Sequence, residues 1–418
     1  MSALSVSTVI VSRERPESLT RCLTGVDGLD HTQFEVVVVA CPAGCAALRA
    51  AGFAERVKLI EFDEANISAA RNLGVAQAAG AVVTFIDDDA VPEPTWLTRL
   101  TAPFGAADVA AAGGYVRGRN GISFQWTARQ VDRCGRQRPF PVEGMASVVA
   151  TPDPGHAIRT EGTNMAVRRD VLAALGGFDP GFRFYLDETD VNLRLVKAGC
   201  KTVIVPLAQV YHAYAASARR KQNRAVTDLS EIGASMAYFL RKHCPADGRA
   251  ERLNEMMRNQ QMRVFDQLRA RLLTKSDVGP LIAGLKRGVE AGMNRPIAGL
   301  APLDAPARGF LPFLPRRSGG TVLAGRIWQA PRLRREAAKR AAAGENVSLF
   351  LFEPSPRYHR LRFTDDGYWE QVGGLYGRSA RDGALFQPVG FARRLAREVD
   401  RIASVRGLSG QEESKTTQ

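Results

Sequence analysis

The chain has 418 residues, of which 45% are hydrophobic and 24% charged, and its formal net charge is +14. This length exceeds that of one ordinary domain, and the composition is that of a folded globular protein rather than a disordered or fibrous one. No window holds the ~20 consecutive apolar residues of a membrane-spanning helix, and the first residues lack the long apolar stretch of a secretory signal. We therefore expect a cytoplasmic protein with more than one structural unit.

The positive charge is concentrated in the middle of the chain. The net charge is −2 over residues 1–212, +15 over 213–344 and +1 over 345–418. Such a block favours phosphate-rich partners, namely an anionic membrane surface, a lipid-linked diphosphate or a nucleic acid. Ordinary solvated helix faces explain it equally well. Because the block contains no recognisable nucleic-acid motif, we expect no specific nucleic-acid partner.

The first two hundred residues show strand patterns alternating with helical patterns. Strands are predicted at 6–12, 34–40, 57–60 and 82–86, and helical stretches at 16–23 and 68–79. Continuous apolar runs of this kind are typical of strands buried on both faces of a parallel sheet. We expect an α/β doubly wound unit whose ligands bind outside the carboxyl ends of the strands. Since no glycine-rich dinucleotide loop or Gly-Lys-Ser/Thr loop occurs, dehydrogenases and nucleoside triphosphatases are disfavoured.

The fourth predicted strand ends in three consecutive carboxylates, Asp87, Asp88 and Asp89. Adjacent like charges raise one another's pKa unless a cation or solvent relieves them. A divalent metal that holds a phosphorylated substrate would do so. A solvated acidic turn after a core strand is the alternative.

A second acidic cluster, Asp187-Glu188-Thr189-Asp190, opens a predicted helix that ends at Gly199. Part of this pattern is helix chemistry, because acidic side chains at the first turn cap the helix and favour its dipole. In combination with a metal-type triplet elsewhere, a carboxylate at this position could also act as general base for an incoming hydroxyl.

Short segments in a fixed order resemble the family 2 glycosyltransferases, which are inverting enzymes with the GT-A fold. These segments are Val9-Ile10-Val11-Ser12 with Arg15-Pro16, Asn66 to Gly74, Phe85 to Asp89, Gly162 to Ala166 with Arg168 and Arg169, Gly176 to Asp179, Asp187 to Asp190, and Val210 to His212. The resemblance covers residues 4–240. We therefore expect a GT-A domain at 1–245, a basic, mainly helical extension at 246–344, and a small C-terminal α+β unit at 345–418.

The resemblance implies a metal and donor site at the carboxyl ends of the strands. The expected metal ligands are Asp87, Asp89 and His212, and the expected ion is Mn or Mg. Asp87 would also face the donor, whereas Asp88 has no assigned role. Five further positions are expected to contact the donor: Ser12, Arg15, Asn66, Arg71 and Asn72.

The resemblance also places the catalytic base in the second acidic cluster. The family's Glu-Asp pair stands here in inverted order, so Glu188 is the first choice for the base and Asp187 the second. Thr163, Asn164 and Asp190 would lie on the acceptor side, although Asp190 is better suited to supporting the helix.

One departure from the family concerns the end of the second strand. Many relatives carry there an aspartate that reads the nucleobase, whereas this chain has Ala40 and Cys41. The donor's base and sugar therefore stay open. The implied function is metal-dependent transfer of a sugar from a nucleoside-diphosphate sugar to a saccharide or lipid-linked acceptor, in surface polysaccharide synthesis. The alternatives are an inactive binding or scaffold protein and, ranked last, a nucleic-acid-binding protein.

The remaining predictions concern the second half of the chain and the cysteines. We expect helices at 228–243 and onward to 272, a loop-rich connector at 279–315, and a basic helix at 326–343 that Pro331 interrupts and that could contact the inner face of the membrane. The last unit should contain strands at 347–352 and 361–363, a helix at 391–402 and a disordered tail after 407. Its aromatic residues are expected to form its core: Tyr358, Tyr368, Trp369 and Tyr376. The six cysteines, being scattered, are expected to be free thiols.

Overall fold

The computed structural model describes residues 4–213 and 215–408. The strands are β1 (Val6–Ser12), β2 (Phe34–Ala40), β3 (Lys58–Glu61), β4 (Val82–Asp87), β5 (Ala90–Pro92), β6 (Val109–Arg117), β7 (Phe124–Trp126), β8 (Arg129–Asp132), β9 (Gln137–Pro139), β10 (Val148–Ala150), β11 (His156–Arg159), β12 (Met165–Arg168), β13 (Lys201–His212), β14 (Ser318–Arg326), β15 (Glu345–Glu353), β16 (Arg360–Phe363) and β17 (Trp369–Gly374). The helices are α1 (Pro16–Val26), α2 (Pro42–Ala50), α3 (Ile67–Gln77), α4 (Trp96–Thr101), α5 (Arg169–Ala174), α6 (Asp187–Lys197), α7 (Ser230–His243), α8 (Ala246–Arg269), α9 (Lys275–Asn294), α10 (Ala330–Ala342) and α11 (Phe391–Arg406).

A large mixed sheet forms the centre of the molecule, in the order β10-β13-β6-β12-β4-β1-β2-β3. Its β4-β1-β2-β3 part is parallel, and β12 joins it to β6 through antiparallel pairing on both sides. Apolar side chains fill both faces of the strands, and the four predicted strands are confirmed within one or two residues. Val11 of β1 pairs with Asp87 of β4, so the ends of these two strands meet at one edge of the sheet.

Three helices and a small sheet pack beside the central sheet. The small sheet has the order β11-β8-β9, and α7 packs against both α8 and α9. A disulfide between Cys134 and Cys244 connects the turn after β8 to the end of α7. The expectation of free thiols is thus wrong for this pair, because a bond across a sequence separation of 110 leaves no local spacing pattern.

Helix α9 occupies much of the region where a loop-rich connector is predicted. The glycines of this segment lower its helix propensity, which is why the sequence resembles a loop. In the structure Gly288 and Gly292 instead let α9 approach α7: a Cβ atom at Gly288 would lie 1.9 Å from the carbonyl oxygen of Ser230. Pro331 also proves compatible with helix α10, because it stands in the first turn, where the missing N–H has no intrahelical partner.

The C-terminal unit is a four-stranded sheet in the order β14-β15-β17-β16. Helix α10 packs its apolar side chains on one face of β15, and α11 packs on the other. Since β14 begins at Ser318, we propose that this unit starts near residue 318 rather than 345. Tyr368 and Trp369 are buried, as expected for core residues, whereas Tyr358 is 52% exposed. Most of the predicted disordered tail lies outside the described residues.

Candidate active site

The three predicted metal ligands lie together at the edge of the central sheet. Asp87 ends β4, and His212 ends β13, whose pairing with β5 brings the histidine back to the acidic triplet. One ligand atom from each of Asp87, Asp89 and His212 lies within 4.8 Å of the others. Two carboxylates and an imidazole form a donor set that fits a divalent ion such as Mn²⁺.

Asp89 is surrounded by hydrogen-bond donors. The guanidinium of Arg15 lies 3.0 Å from Oδ2, the backbone N–H of Ala215 donates to the same oxygen at 2.9 Å, and Nε2 of His212 lies 3.1 Å from Oδ1. Burial alone would raise the pKa of Asp89, but His212, Arg15 and Arg220 together hold that pKa far below its ordinary value. Asp89 is therefore anionic, as a metal ligand must be.

Asp88, to which the sequence assigned no role, is the buried anchor of the site. Its carboxylate accepts a hydrogen bond from Ser12 Oγ at 2.6 Å and pairs with Arg15 at 2.5 Å. Burial raises the pKa of Asp88 to about 7, although Arg15 opposes this effect. The predicted donor residues Ser12 and Arg15 are thus fixed by the triplet itself.

Arg71 connects the two acidic clusters. Its guanidinium lies 3.2 Å from Asp87 Oδ1, forms an ion pair with Asp187, and donates to the carbonyl oxygen of Gly162 at 3.3 Å. The side chain is buried, and the two carboxylates keep the pKa of Arg71 raised despite its desolvation. One cation therefore compensates an acid of the metal group and an acid of the predicted catalytic pair.

Asp187 and Glu188 differ in their surroundings. Burial and the adjacent Glu188 carboxylate raise the pKa of Asp187 to about 7, although Arg71 acts in the opposite direction. Burial would also raise the pKa of Glu188, but Arg159, whose Nη2 lies 2.9 Å from Oε1, lowers it below its ordinary value. Arg159 also pairs with the buried Glu161 at 3.2 Å. Glu188 is consequently the carboxylate of the pair that stays ionised near neutral pH.

The turn before α6 has an unusual backbone conformation. Tyr185 and Leu186 are successive residues with positive φ angles of 74° and 67°. Such conformations cost a non-glycine residue roughly 1–3 kcal/mol and persist only where packing enforces them. Leu186 is buried in the core around α7, and the turn thereby fixes where the helix and its acidic pair begin.

A cavity of about 480 Å³ opens beside these groups. Predicted site residues line one part of it, namely Ser12, Arg15, Asn66, Asp87, Asp89 and His212. Further lining comes from the basic block at 213–344, which the sequence indicated only as a whole: Arg219 in the segment after β13, and Gln260 and Arg263 on α8. Neither α8 nor that segment carries a motif that could have identified them.

Four residues that were predicted to contact the donor or the acceptor make hydrogen bonds or ion pairs within the protein. The side chain of Asn72 bonds the backbone of Phe178 at 2.7 and 2.8 Å, so it holds the turn after α5. Asn164 is fully buried, where it accepts from Trp96 Nε1 and donates to two carbonyl oxygens. Asp190 pairs with Lys242, His243 and Arg194 and supports α6.

The fourth of these residues is Thr163, which is also buried. Its Oγ1 accepts from the backbone N–H of Asp87 at 3.4 Å, and the residue is thus a neighbour of the metal group. The structure does not bring Thr163, Asn164 and Asp190 together on one acceptor surface.

Comparison with known proteins identifies several relatives over part of the chain. The O-antigen biosynthesis protein RfbC of Myxococcus xanthus is 28% identical over 232 residues, which are 51% of this chain and 18% of RfbC. The N-acetylglucosaminyl-diphospho-decaprenol L-rhamnosyltransferase of Mycobacterium tuberculosis is 41% identical over 59 residues, which are 14% of this chain and 19% of that enzyme. The chain thus spans about a fifth of the length of these curated relatives.

A solved structure superposes on part of the chain. The mannosyltransferase PcManGT from Pyrobaculum calidifontis, solved in complex with GDP-Man and Mn²⁺, superposes with a TM-score of 0.44 at 15% identity. The match covers 70% of this chain and 87% of PcManGT.

Among the described residues, no helix is both long and apolar enough to cross a membrane.

The model of the family "Glycosyltransferase like family 2" matches residues 4–227, which is more than half of the chain. The matched segment contains β1 to β13 and both acidic clusters, and the expected GT-A fold is confirmed. The chain therefore belongs to glycosyltransferase family 2.

Proposed function

We propose that this protein is a metal-dependent, inverting glycosyltransferase that moves a sugar from a nucleoside-diphosphate sugar to a hydroxyl group of a saccharide or lipid-linked acceptor. The observation that carries the proposal is the cluster of Asp87, Asp89 and His212 at the mouth of the cavity, with Arg71 connecting it to Asp187. The names of the relatives support a role in surface polysaccharide synthesis.

Different residues of this chain would act on the leaving group and on the nucleophile. A bound Mn²⁺ or Mg²⁺ would neutralise the leaving diphosphate as a Lewis acid. Asp87, Asp89 and His212 would hold the ion, while Arg15 keeps Asp88 and Asp89 in place. Arg220, whose Nη2 lies 3.6 Å from Asp89 Oδ2, would add positive charge beside the diphosphate.

Glu188 is the better candidate for the base that takes the acceptor's proton. A general base has to be unprotonated at the working pH and accessible to the hydroxyl. Each carboxylate is paired with an arginine, but the Glu188 side chain is 12% exposed and ionised, whereas that of Asp187 is 4% exposed and its pKa is raised to about 7. Attack by the activated hydroxyl on the face opposite the diphosphate inverts the anomeric centre in a single displacement.

The proposal is tested with two variants of the full chain. Nucleoside diphosphates with Mn²⁺ should raise the melting temperature of the wild type, because a ligand that binds only the folded state stabilises it. In Asp89→Asn the part of this increase that depends on Mn²⁺ should be absent. Glu188→Gln should keep that stabilisation but lose roughly 10²- to 10⁴-fold in transfer rate, the usual contribution of a general base.

These variants distinguish the alternatives. Unimpaired transfer by Glu188→Gln at intact metal binding would exclude Glu188 as the base. If no nucleoside diphosphate stabilises the wild type in a metal-dependent way, the protein is instead a binding or scaffold protein with the family's fold.

A further inference from the structure

Two arginines, Arg219 and Arg263, line the cavity. Arg219 follows β13, and Arg263 projects from α8 beyond the segment that matches the family. Of the described residues, none places a carboxylate within ion-pair distance of either guanidinium. Their neighbour Arg220 differs, since it lies 3.6 Å from Asp89.

The two side chains are nevertheless held in place. The Arg219 guanidinium lies 4.5 Å above the ring of Phe184, and Arg263 Nη1 donates to Gln260 Oε1 at 3.4 Å. Held side chains lose less freedom when they bind a ligand, so the site is preorganised.

Several positive charges lie near Arg263. Burial lowers the pKa of Arg263, and the nearby Arg220 and Arg224 lower it further. Arg219 also has a lowered pKa because of burial, which Asp228 and Glu231 only partly offset. An anion bound beside Arg263 would offset this positive charge, and phosphate is the anion that the planar donor geometry of a guanidinium matches.

This corner lies on the acceptor side of the chemistry. Phe184 and Tyr185 both line the cavity, the Arg219 guanidinium lies over the ring of Phe184, and the chain continues from Tyr185 into α6, which carries Glu188 in its first turn. The metal group lies with the carboxylates at the strand ends, where the donor's diphosphate is expected.

We propose that Arg219, Arg263 and Gln260 form an anion subsite that binds a phosphate or diphosphate ester on the acceptor. The subsite would hold the acceptor by its phosphate so that its hydroxyl reaches Glu188. The assignment to the acceptor rests on the proposed function, whereas binding of the anion does not.

Inorganic pyrophosphate is a suitable probe, measured by calorimetry on the full chain in the presence of EDTA, so that metal-bound phosphate is excluded. Wild type and Asp89→Asn should bind it equally. Arg263→Gln should weaken binding by about tenfold or more, as expected for the loss of a charged hydrogen-bond donor, and Arg263→Lys by less. Arg258→Gln, which removes the same charge from an exposed position of α8, should change affinity little.

The outcomes separate the possibilities. Absence of pyrophosphate binding, or equal losses in Arg263→Gln and Arg258→Gln at unchanged melting temperature, would overturn the subsite. Phosphatidylcholine vesicles doped with a polyprenyl diphosphate compete for the site if the anion is lipid-borne, and free pyrophosphate alone binds if the acceptor is water-soluble; both results support the subsite. Loss of metal-dependent nucleotide binding with retained pyrophosphate binding would refute the glycosyltransferase and leave the subsite intact.

Discussion

His359 is a buried histidine whose neighbours favour the neutral imidazole. Gln371 Nε2 lies 2.7 Å from its Nδ1, and the carbonyl oxygen of Gly374 lies 2.8 Å from its Nε2. The guanidinium of Arg394 is 2.8 Å from Nε2 as well. Burial and this positive charge lower the pKa of His359 to about 4.

This shift predicts a pH dependence of stability. In the unfolded chain a histidine titrates near ~6.5, so as the pH falls the unfolded state takes up a proton first. The contribution of neutral His359 to the free energy of unfolding is fully present above pH ~6.5. It is lost as the pH falls toward the folded pKa of about 4, at a slope of up to ~1.4 kcal/mol per pH unit. We expect urea unfolding between pH ~7.5 and ~5 to show a shallower acid-side loss for His359→Gln than for the wild type. Parallel curves would contradict this assignment.

Residues with sequence motifs were predicted better than residues without them. The proximity of Asp87, Asp89 and His212 follows from the strands, because Asp87 and His212 end strands that meet at one sheet edge and Asp89 lies in the turn directly after β4. Arg159 and Arg263 were missed, since their importance comes from contacts made across the fold.

The packing of α9 against α7 depends on glycines at the contact. A Cβ atom at Gly292 would lie 2.2 Å from the carbonyl oxygen of Ala234, and one at Gly233 would lie 2.4 Å from that of Leu285. The two backbones therefore touch along several turns. Side chains of any size would force the helices apart.

Two alanine substitutions in α9 should have opposite effects. Gly288→Ala should lower the free energy of unfolding by roughly 1–3 kcal/mol, as overpacking does, despite the better helix propensity of alanine. Gly284→Ala, whose new Cβ would come no closer than 3.6 Å to a residue that is not its neighbour in the chain, should raise it by about 0.5–1 kcal/mol. Denaturant titration measures both, and stabilisation by Gly288→Ala would show that the helices are not in tight contact.

Strands and helices were predicted correctly where the burial of a segment agrees with the secondary-structure propensity of its residues. β1, β2 and β4 consist of uninterrupted apolar runs, so their sequence alone defines them. Helix α9 was missed because tertiary contacts there favour glycine against its own helix propensity. Asn72 and Asn164 resemble ligand-binding residues in the motif, but their amides are used to hold turns and strands.

The disulfide between Cys134 and Cys244 acts on the molecule as a whole. It closes a loop of 110 residues that includes α6 and the acidic pair. Reduction should lower the free energy of unfolding by roughly 2–4 kcal/mol, the usual effect of losing a native disulfide. Thermal unfolding with and without dithiothreitol measures this loss, and a Cys134→Ser/Cys244→Ser protein should not respond. An equal response of that variant would mean that the reductant acts elsewhere.

The C-terminal helix α11 contacts the residue that follows β5, a strand beside the candidate site. Arg406 of α11 pairs with Glu93 at 2.7 Å, and both side chains are fully or almost fully buried. Glu93 follows β5, the strand that pairs with β13 and positions His212. The only other cation near it is Arg117, at 3.9 Å among the described residues.

A truncation to the family-matching residues 4–227 would remove Arg406 and leave a carboxylate in the protein interior without its closest cation. Losing one partner of a buried ion pair costs roughly 3–5 kcal/mol, which is a large part of the stability of a typical domain. We therefore expect the last helix of the chain to belong to the folding unit of the central sheet, and a fragment that ends before residue 406 to unfold at a lower temperature than the full chain.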